Sequence, residues 1–232
     1  MNNLLKDTYL LDYNSTNIQS LINKNKWLEQ NQHDKIKSIY NYVKDKIIFG
    51  YNKSDYRKAS EILNDGYGQC NTKSILFMAL LRATGVECRI HGFTIYKKLQ
   101  KGAISGIWYK LAPNEIIHSW VEIYYKNEWL NIEGFILDDS YLSALQSKFC
   151  DSTGFFEGYG VSTDKFMSPE VNWCGNSTYI QKEGIAEDFG IFDQPDDFFS
   201  KYNQKLNPIK KFVFINITRH LMNRNVSRIR NQ

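Results

Sequence analysis

The run from Cys70 to Thr84 constrains this chain more than any other. Past its first turn it reads Ile-Leu-Phe-Met-Ala-Leu-Leu-Arg-Ala, apolar on nearly every side. A helix apolar all round has no face to offer water, so it belongs at the centre of a domain with other layers packed about it. Gly85 is placed to end it. The segment ahead of it, Asn64-Asp65-Gly66-Tyr67-Gly68, is a loop signal. A chain of 232 residues is long enough to build a core around such a helix.

The flanking patterns give the rest of the class. Ile36, Ile39, Tyr40, Val43, Ile47 and Ile48 follow the spacing of a helix with one buried stripe, with Asp34 to cap its start and Gly50 and Asn52 to end it. Ile18, Leu21, Ile22, Trp27 and Leu28 form another amphipathic stretch, and Ala59 to Leu63 a short helical turn. Downstream the texture changes. Cys88 to Tyr96 reads as a strand and residues 97–116 as a long loop or lid. His118 to Tyr125 and Trp129 to Glu133 are two strands joined by the polar turn Lys126-Asn127-Glu128. Helices followed by an antiparallel sheet predict an α+β fold. Beyond Asp138 the pattern weakens: a helical turn at Leu142 to Leu145, no steady period over 150–200, and a final helix from Ile209 to Ile229. The expected division is a core over 1–138 and an extension over 139–232 packed on it.

Charge excludes some functions. The net charge of +4, from 29 basic and 25 acidic residues, is too mild to argue for nucleic acid. The basic stretch Arg219 to Arg230 is either a solvated helix face or a contact for an acidic partner. No basic region followed by an apolar run opens the chain, and no stretch of about 18 apolar residues occurs. A cytoplasmic protein with no membrane partner is therefore expected. The four cysteines, Cys70, Cys88, Cys150 and Cys174, form no CxxC pair and are expected to be free thiols.

One cysteine stands where chemistry is favoured. A thiol has a reference pKa of about 8.5, and the unpaired N–H groups and dipole of a helix N-terminus favour the thiolate. Cys70 follows a Gly-rich turn and opens the buried helix. Its backbone N–H is positioned as an oxyanion donor, and the glycines let backbone pass close to a substrate. His118 on the next strand is a candidate base. An acid on the partner strand should orient it, and Glu133 is near. A tight hairpin sets His118 opposite residues 135–136, so a bulge or register offset is needed to bring Glu133 into line. Glu122, on the face of His118 and Trp120, suits a structural hydrogen bond or ion pair. A zinc site of Cys70, His91 and His118 is a rival use of the same residue types.

These motifs, in this order, resemble the transglutaminase-like superfamily of cysteine enzymes. The resemblance rests on Gly66-Tyr67-Gly68-Gln69-Cys70-Asn71-Thr72-Lys73, the helix end Ala79-Leu80-Leu81-Arg82-Ala83-Thr84-Gly85-Val86, the strand Cys88-Arg89-Ile90-His91-Gly92-Phe93, and His118-Ser119-Trp120-Val121-Glu122 followed by Trp129-Leu130-Asn131-Ile132-Glu133. Ile39 to Lys44 is similar to the family's lead-in helix, and the likeness covers about residues 32–138. It implies a papain-like core with the cysteine helix packed on an antiparallel sheet, and a catalytic triad of Cys70, His118 and Glu133. The family has Asp at the third position; Asp138 and Asp139 are the alternatives here. Gln69 and Tyr67 are candidates for a second oxyanion donor.

The resemblance also implies acyl transfer through a thioester, on a peptide, protein or small amide. Hydrolysis by a peptidase or amidase is the favoured outcome, with amine transfer by a crosslinking transglutaminase, or a binding module that keeps the fold without the chemistry, as alternatives. No cofactor is expected, and no calcium-loop motif is present.

Overall fold

The computed structural model describes residues 3–204 and 207–232. Its first half is helical: α1 (Thr16–Lys24), α2 (Gln32–Lys46), α3 (Ala59–Asp65) and α4 (Cys70–Ala83), with a two-residue parallel pair between β1 (Ile48–Phe49) and β2 (Tyr67–Gly68). Every residue of α4 from Cys70 to Arg82 is buried, as its all-round apolarity requires. The helix runs against a four-stranded antiparallel sheet, in the order β5-β4-β3-β8, formed by β3 (Cys88–Tyr96), β4 (Glu115–Tyr125), β5 (Glu128–Ile132) and β8 (Ile185–Phe192). The fold is therefore α+β, with the Cys70 helix packed on an antiparallel sheet.

Details of the sequence reading change for local reasons. Asn31, not Asp34, caps α2: its side chain accepts the backbone N–H of Asp34 at 3.0 Å, leaving Asp34 in the first turn, where its charge suits the helix dipole. Residues 97–116 are not a bare loop. A 3-10 turn (Lys97–Gln100) and α5 (Gly106–Leu111) cross over to β4, which begins at Glu115 because Tyr96, Ile95 and Thr94 pair with Glu115, Ile116 and Ile117. His118 thus lies inside a strand and not at its start.

The residues after 138 are woven into the same body. Beyond α6 (Asp139–Lys148) come a small hairpin of β6 (Phe156–Gly158) and β7 (Val161–Thr163), then β8 pairing along β3, then α7 (Pro195–Lys201). Gly92 on β3 has no side chain because the ring of Phe198 from α7 fills the space a Cβ would take. The last helix, α8 (Pro208–Val213) and α9 (Arg219–Arg230), is continuous through a π turn over Phe214–Thr218. Arg230 at its end forms an ion pair of 2.8 Å with Asp138. The Cys70, Cys88, Cys150 and Cys174 thiols are free. No helix among the described residues is long and apolar enough to cross a membrane.

Candidate active site

Cys70 is placed by the turn before it. Gly66 closes α3 with φ of 70°, a left-handed conformation that glycine adopts without cost. Gly68 has a different reason: an added Cβ would lie 2.7 Å from the Thr72 hydroxyl and 3.0 Å from Lys73. The missing side chain makes room for the first turn of α4, not for a substrate. Thr72 Oγ1 in turn accepts the backbone N–H of Gln69 at 3.1 Å and donates to Asn52. Cys70 opens α4 as a residue 8% exposed, at a helix end whose first N–H groups have no intrahelical acceptor.

His118 is delivered beside it by β4. Asn71, the residue after the cysteine, donates from Nδ2 to the Ile117 carbonyl at 3.0 Å and accepts from the Ser119 hydroxyl at 2.9 Å. It therefore fastens the start of α4 to the strand residues on both sides of His118. The imidazole is fully buried, and its Nε2 lies 2.9 Å from Glu133 Oε1. Its Nδ1 makes no hydrogen bond within the fold. Burial disfavours the charged ring, but the Cys70 sulfur, and after it the Glu133 carboxylate, outweigh burial and push His118 up to about 10. The ring thus sits between a sulfur and a carboxylate.

Glu133 reaches the ring without a bulge. The β4–β5 ladder runs in even register from Tyr125–Glu128 to Val121–Ile132 and stops there. Ile132 instead bridges in parallel to Thr178, and the Thr178 carbonyl accepts the Glu133 backbone N–H at 3.0 Å. Leaving the hairpin frees Glu133 from a place opposite residue 120 and turns its side chain under His118. The free carboxylate oxygen, Oε2, accepts the backbone N–H groups of Ile180 and Gln181, each at 2.9 Å. Gly134 packs so closely on Tyr40 and Val171 that a Cβ there would lie 2.6 Å from the tyrosine oxygen.

The other candidates are engaged elsewhere. Asp138 caps α6 through Tyr141, accepts the Phe49 N–H at 2.8 Å and pairs with Arg230. Burial opposes its charge, yet the Arg230 pair and the hydrogen bonds from Ser140 and Phe49 hold it below the usual carboxylate range. Asp139 pairs with Lys44 at 2.6 Å. Neither is the acid on His118. Glu122 holds Arg89 at 2.6 Å and His91 at 2.9 Å, while the other nitrogen of His91 meets Asp188 at 2.9 Å. His91 has no nitrogen left for a shared zinc, and no group of three or more His, Cys, Asp or Glu among the described residues is arranged to hold a metal. The amide of Gln69 is spanned by the Asn52 N–H on its oxygen and Asp55 on its nitrogen. The Tyr67 hydroxyl accepts from Arg219.

Sequence reasoning missed Asn71, Thr178, Ile180, Gln181 and Asp55. Asp55 lies within the influence of His118 and beside Asn71, and burial raises its carboxyl above the usual range. Asn71 could have been found, as an amide in a helix with no polar face. Ile180 and Gln181 act through backbone N–H groups, which any residue but proline supplies, so no residue type could have marked them.

The family model of the transglutaminase-like superfamily matches residues 21–134. The chain carries a transglutaminase-like core. The match includes Cys70, His118 and Glu133 and ends one residue after the last of them, so the amides that hold Glu133 come from outside the transglutaminase-like segment. A search of solved structures finds a protein from Cytophaga hutchinsonii described as a "putative cysteine protease", at 13% identity and a TM-score of 0.48. The alignment covers 84% of this chain and 47% of that one, so this chain spans about half the length of that protein. No curated protein matches this chain.

Proposed function

We propose that this transglutaminase-like chain is a cysteine-dependent acyl-transfer enzyme that cleaves amide bonds by way of a thioester. One observation carries the proposal: a buried imidazole held at 2.9 Å by a clamped carboxylate, with its other nitrogen unbonded and the Cys70 sulfur the strongest influence raising its basicity. An imidazolium beside a sulfur at a helix N-terminus is the arrangement in which a thiol nucleophile carries its charge at neutral pH.

The roles follow from the atoms. The Cys70 sulfur attacks the amide carbonyl carbon, and the electron pair of the C=O moves to oxygen. The Cys70 backbone N–H faces that oxyanion. His118 passes its proton to the departing amine as the C–N bond breaks, leaving an acyl-thioester. Water, losing a proton to His118, then attacks the thioester; the C–S bond breaks and a carboxylic acid leaves. Glu133 keeps the imidazole in place and balances its charge through both protonation states. Where an amine replaces water the product is a new amide, and the same residues serve. Hydrolysis is the favoured outcome, on a peptide, protein or small amide.

The test is alkylation of Cys70 by iodoacetamide across pH, followed by mass spectrometry of the site. An activated nucleophile reacts well below the pH at which an ordinary thiol does, and His118→Ala shifts its profile toward that of Cys150. A Cys70 profile that matches Cys150 and ignores His118→Ala would sink the proposal.

A further inference from the structure

The last helix carries a face that the fold leaves bare. Between Pro208 and Ile217 no residue is buried, whereas Met222, Val226 and Ile229 later in the same helix pack into the core. Ile209 is 77% exposed, Phe212 66%, Ile217 47% and Leu221 40%. These four lie on one line. Ile209 to Phe212 and Ile217 to Leu221 are ordinary helical steps. The five-residue step from Phe212 to Ile217 crosses the π turn, whose extra residue keeps the stripe on the same side. An apolar stripe turned to solvent over three turns points to a second phase or partner.

Charge identifies which. From residue 198 to 232 the sequence holds eight Lys and Arg and no Asp or Glu. The start of α8 adjoins the end of α5, where Leu111 is exposed as well. The cavity at that junction is lined by Lys97, Lys110 and Lys210 and by no acid. A second copy of this chain would bring like charges together across a two-fold axis. An amphipathic helix with Phe, Ile and Leu on one side and flanking lysines lies in the headgroup region of anionic bilayers.

We propose that the face built by Ile209, Phe212, Ile217 and Leu221, with Lys110, Lys210 and Lys211, docks the protein on an anionic lipid surface. Arg219 of the same helix bonds the Tyr67 hydroxyl three residues before Cys70, and Asn223 bonds the backbone of Tyr51, so docking would hold the lip of the Cys70 site against that surface. Contact with the surface differs from spanning a bilayer, which no helix among the described residues is long and apolar enough to do.

The test is co-sedimentation of the full chain with vesicles of pure phosphatidylcholine and of equal parts phosphatidylcholine and phosphatidylglycerol. Binding is expected to the mixed vesicles and to fall by about tenfold or more in Phe212→Ser and in Lys210→Glu/Lys211→Glu. Thermal melts unchanged from the parent would show that these exposed substitutions leave the fold intact. Absence of binding to the mixed vesicles would overturn the proposal. So would equal binding to both vesicle types, or lipid-free self-association by sedimentation velocity that Phe212→Ser abolishes.

Discussion

His118 is where the proposed chemistry of this chain is concentrated, because the ring is buried yet flanked by a sulfur and a carboxylate. Its position near 10 depends on the sulfur before anything else that raises it. Replacing Cys70 by Ser removes that influence and leaves burial opposed by Glu133 alone. The His118 ring protons, followed by NMR across pH, are therefore expected to titrate lower in Cys70→Ser than in the parent. An unchanged midpoint would mean that sulfur and ring do not communicate. Glu133→Gln keeps the shape but loses the charge that balances the imidazolium. It is expected to lower turnover roughly 10²- to 10⁴-fold on an amide substrate. Of the three residues, the sequence made Cys70 and His118 plain through their places at a helix start and on a strand. Glu133 was legible as a residue but not as a geometry. Pairing arithmetic set it out of line with His118, and the resolution lay in Thr178, 45 residues away, which draws the chain off the hairpin.

At the scale of elements, α4 shows how patterning and exceptions divide. Its all-round apolarity predicted burial, and burial is what the structure has. The same pattern hid a cost, since Lys73 lies one turn from Cys70 and is wholly buried. Its ammonium donates to the Lys44 carbonyl at 3.1 Å and the Ile136 carbonyl at 3.0 Å. Burial lowers it to about 7, with Asp138 and Asp45 opposing. A lysine lowered in the fold binds its proton more weakly there than in the unfolded chain. Its penalty is therefore full below pH 7 and disappears as pH rises toward the unfolded value near 10.4. Denaturant midpoints measured from pH 7 to 10 should rise for the parent relative to Lys73→Met; parallel curves would refute this. The sheet was readable to three strands, each with a strong pattern. β8 was not, because Ile-Ala-Glu-Asp-Phe-Gly-Ile-Phe alternates poorly and edges the sheet with mixed exposure.

Across the whole molecule, the boundary drawn at 138 divides the sequence pattern and does not divide the contacts. Asp138 itself is the hinge pin between the two parts, joining Phe49, the first turn of α6 and Arg230 near the far end of the chain. Breaking a buried ion pair from one side leaves the other charge unpaired, at a cost of roughly 3–5 kcal/mol. Asp138→Asn is expected to lower the unfolding free energy by that order while the surviving folded protein keeps its Cys70 alkylation profile. Loss of Cys70 activation in protein that remains folded would instead make Asp138 part of the site.

Under the proposed reaction, the clamp on Glu133 sets when the chain could first react. Cys70, His118 and Glu133 have all been made by residue 133, but the two amides that steady the carboxylate arrive with residues 180 and 181, and the strand that seals the sheet edge ends at Phe192. A polypeptide emerging from the ribosome would then carry an unarmed thiol for some fifty residues of synthesis. A protease that nicks the chain between β5 and Thr178 and lets the later part leave would disarm it again. In the proposed enzyme the extension would be a safety catch built from main chain.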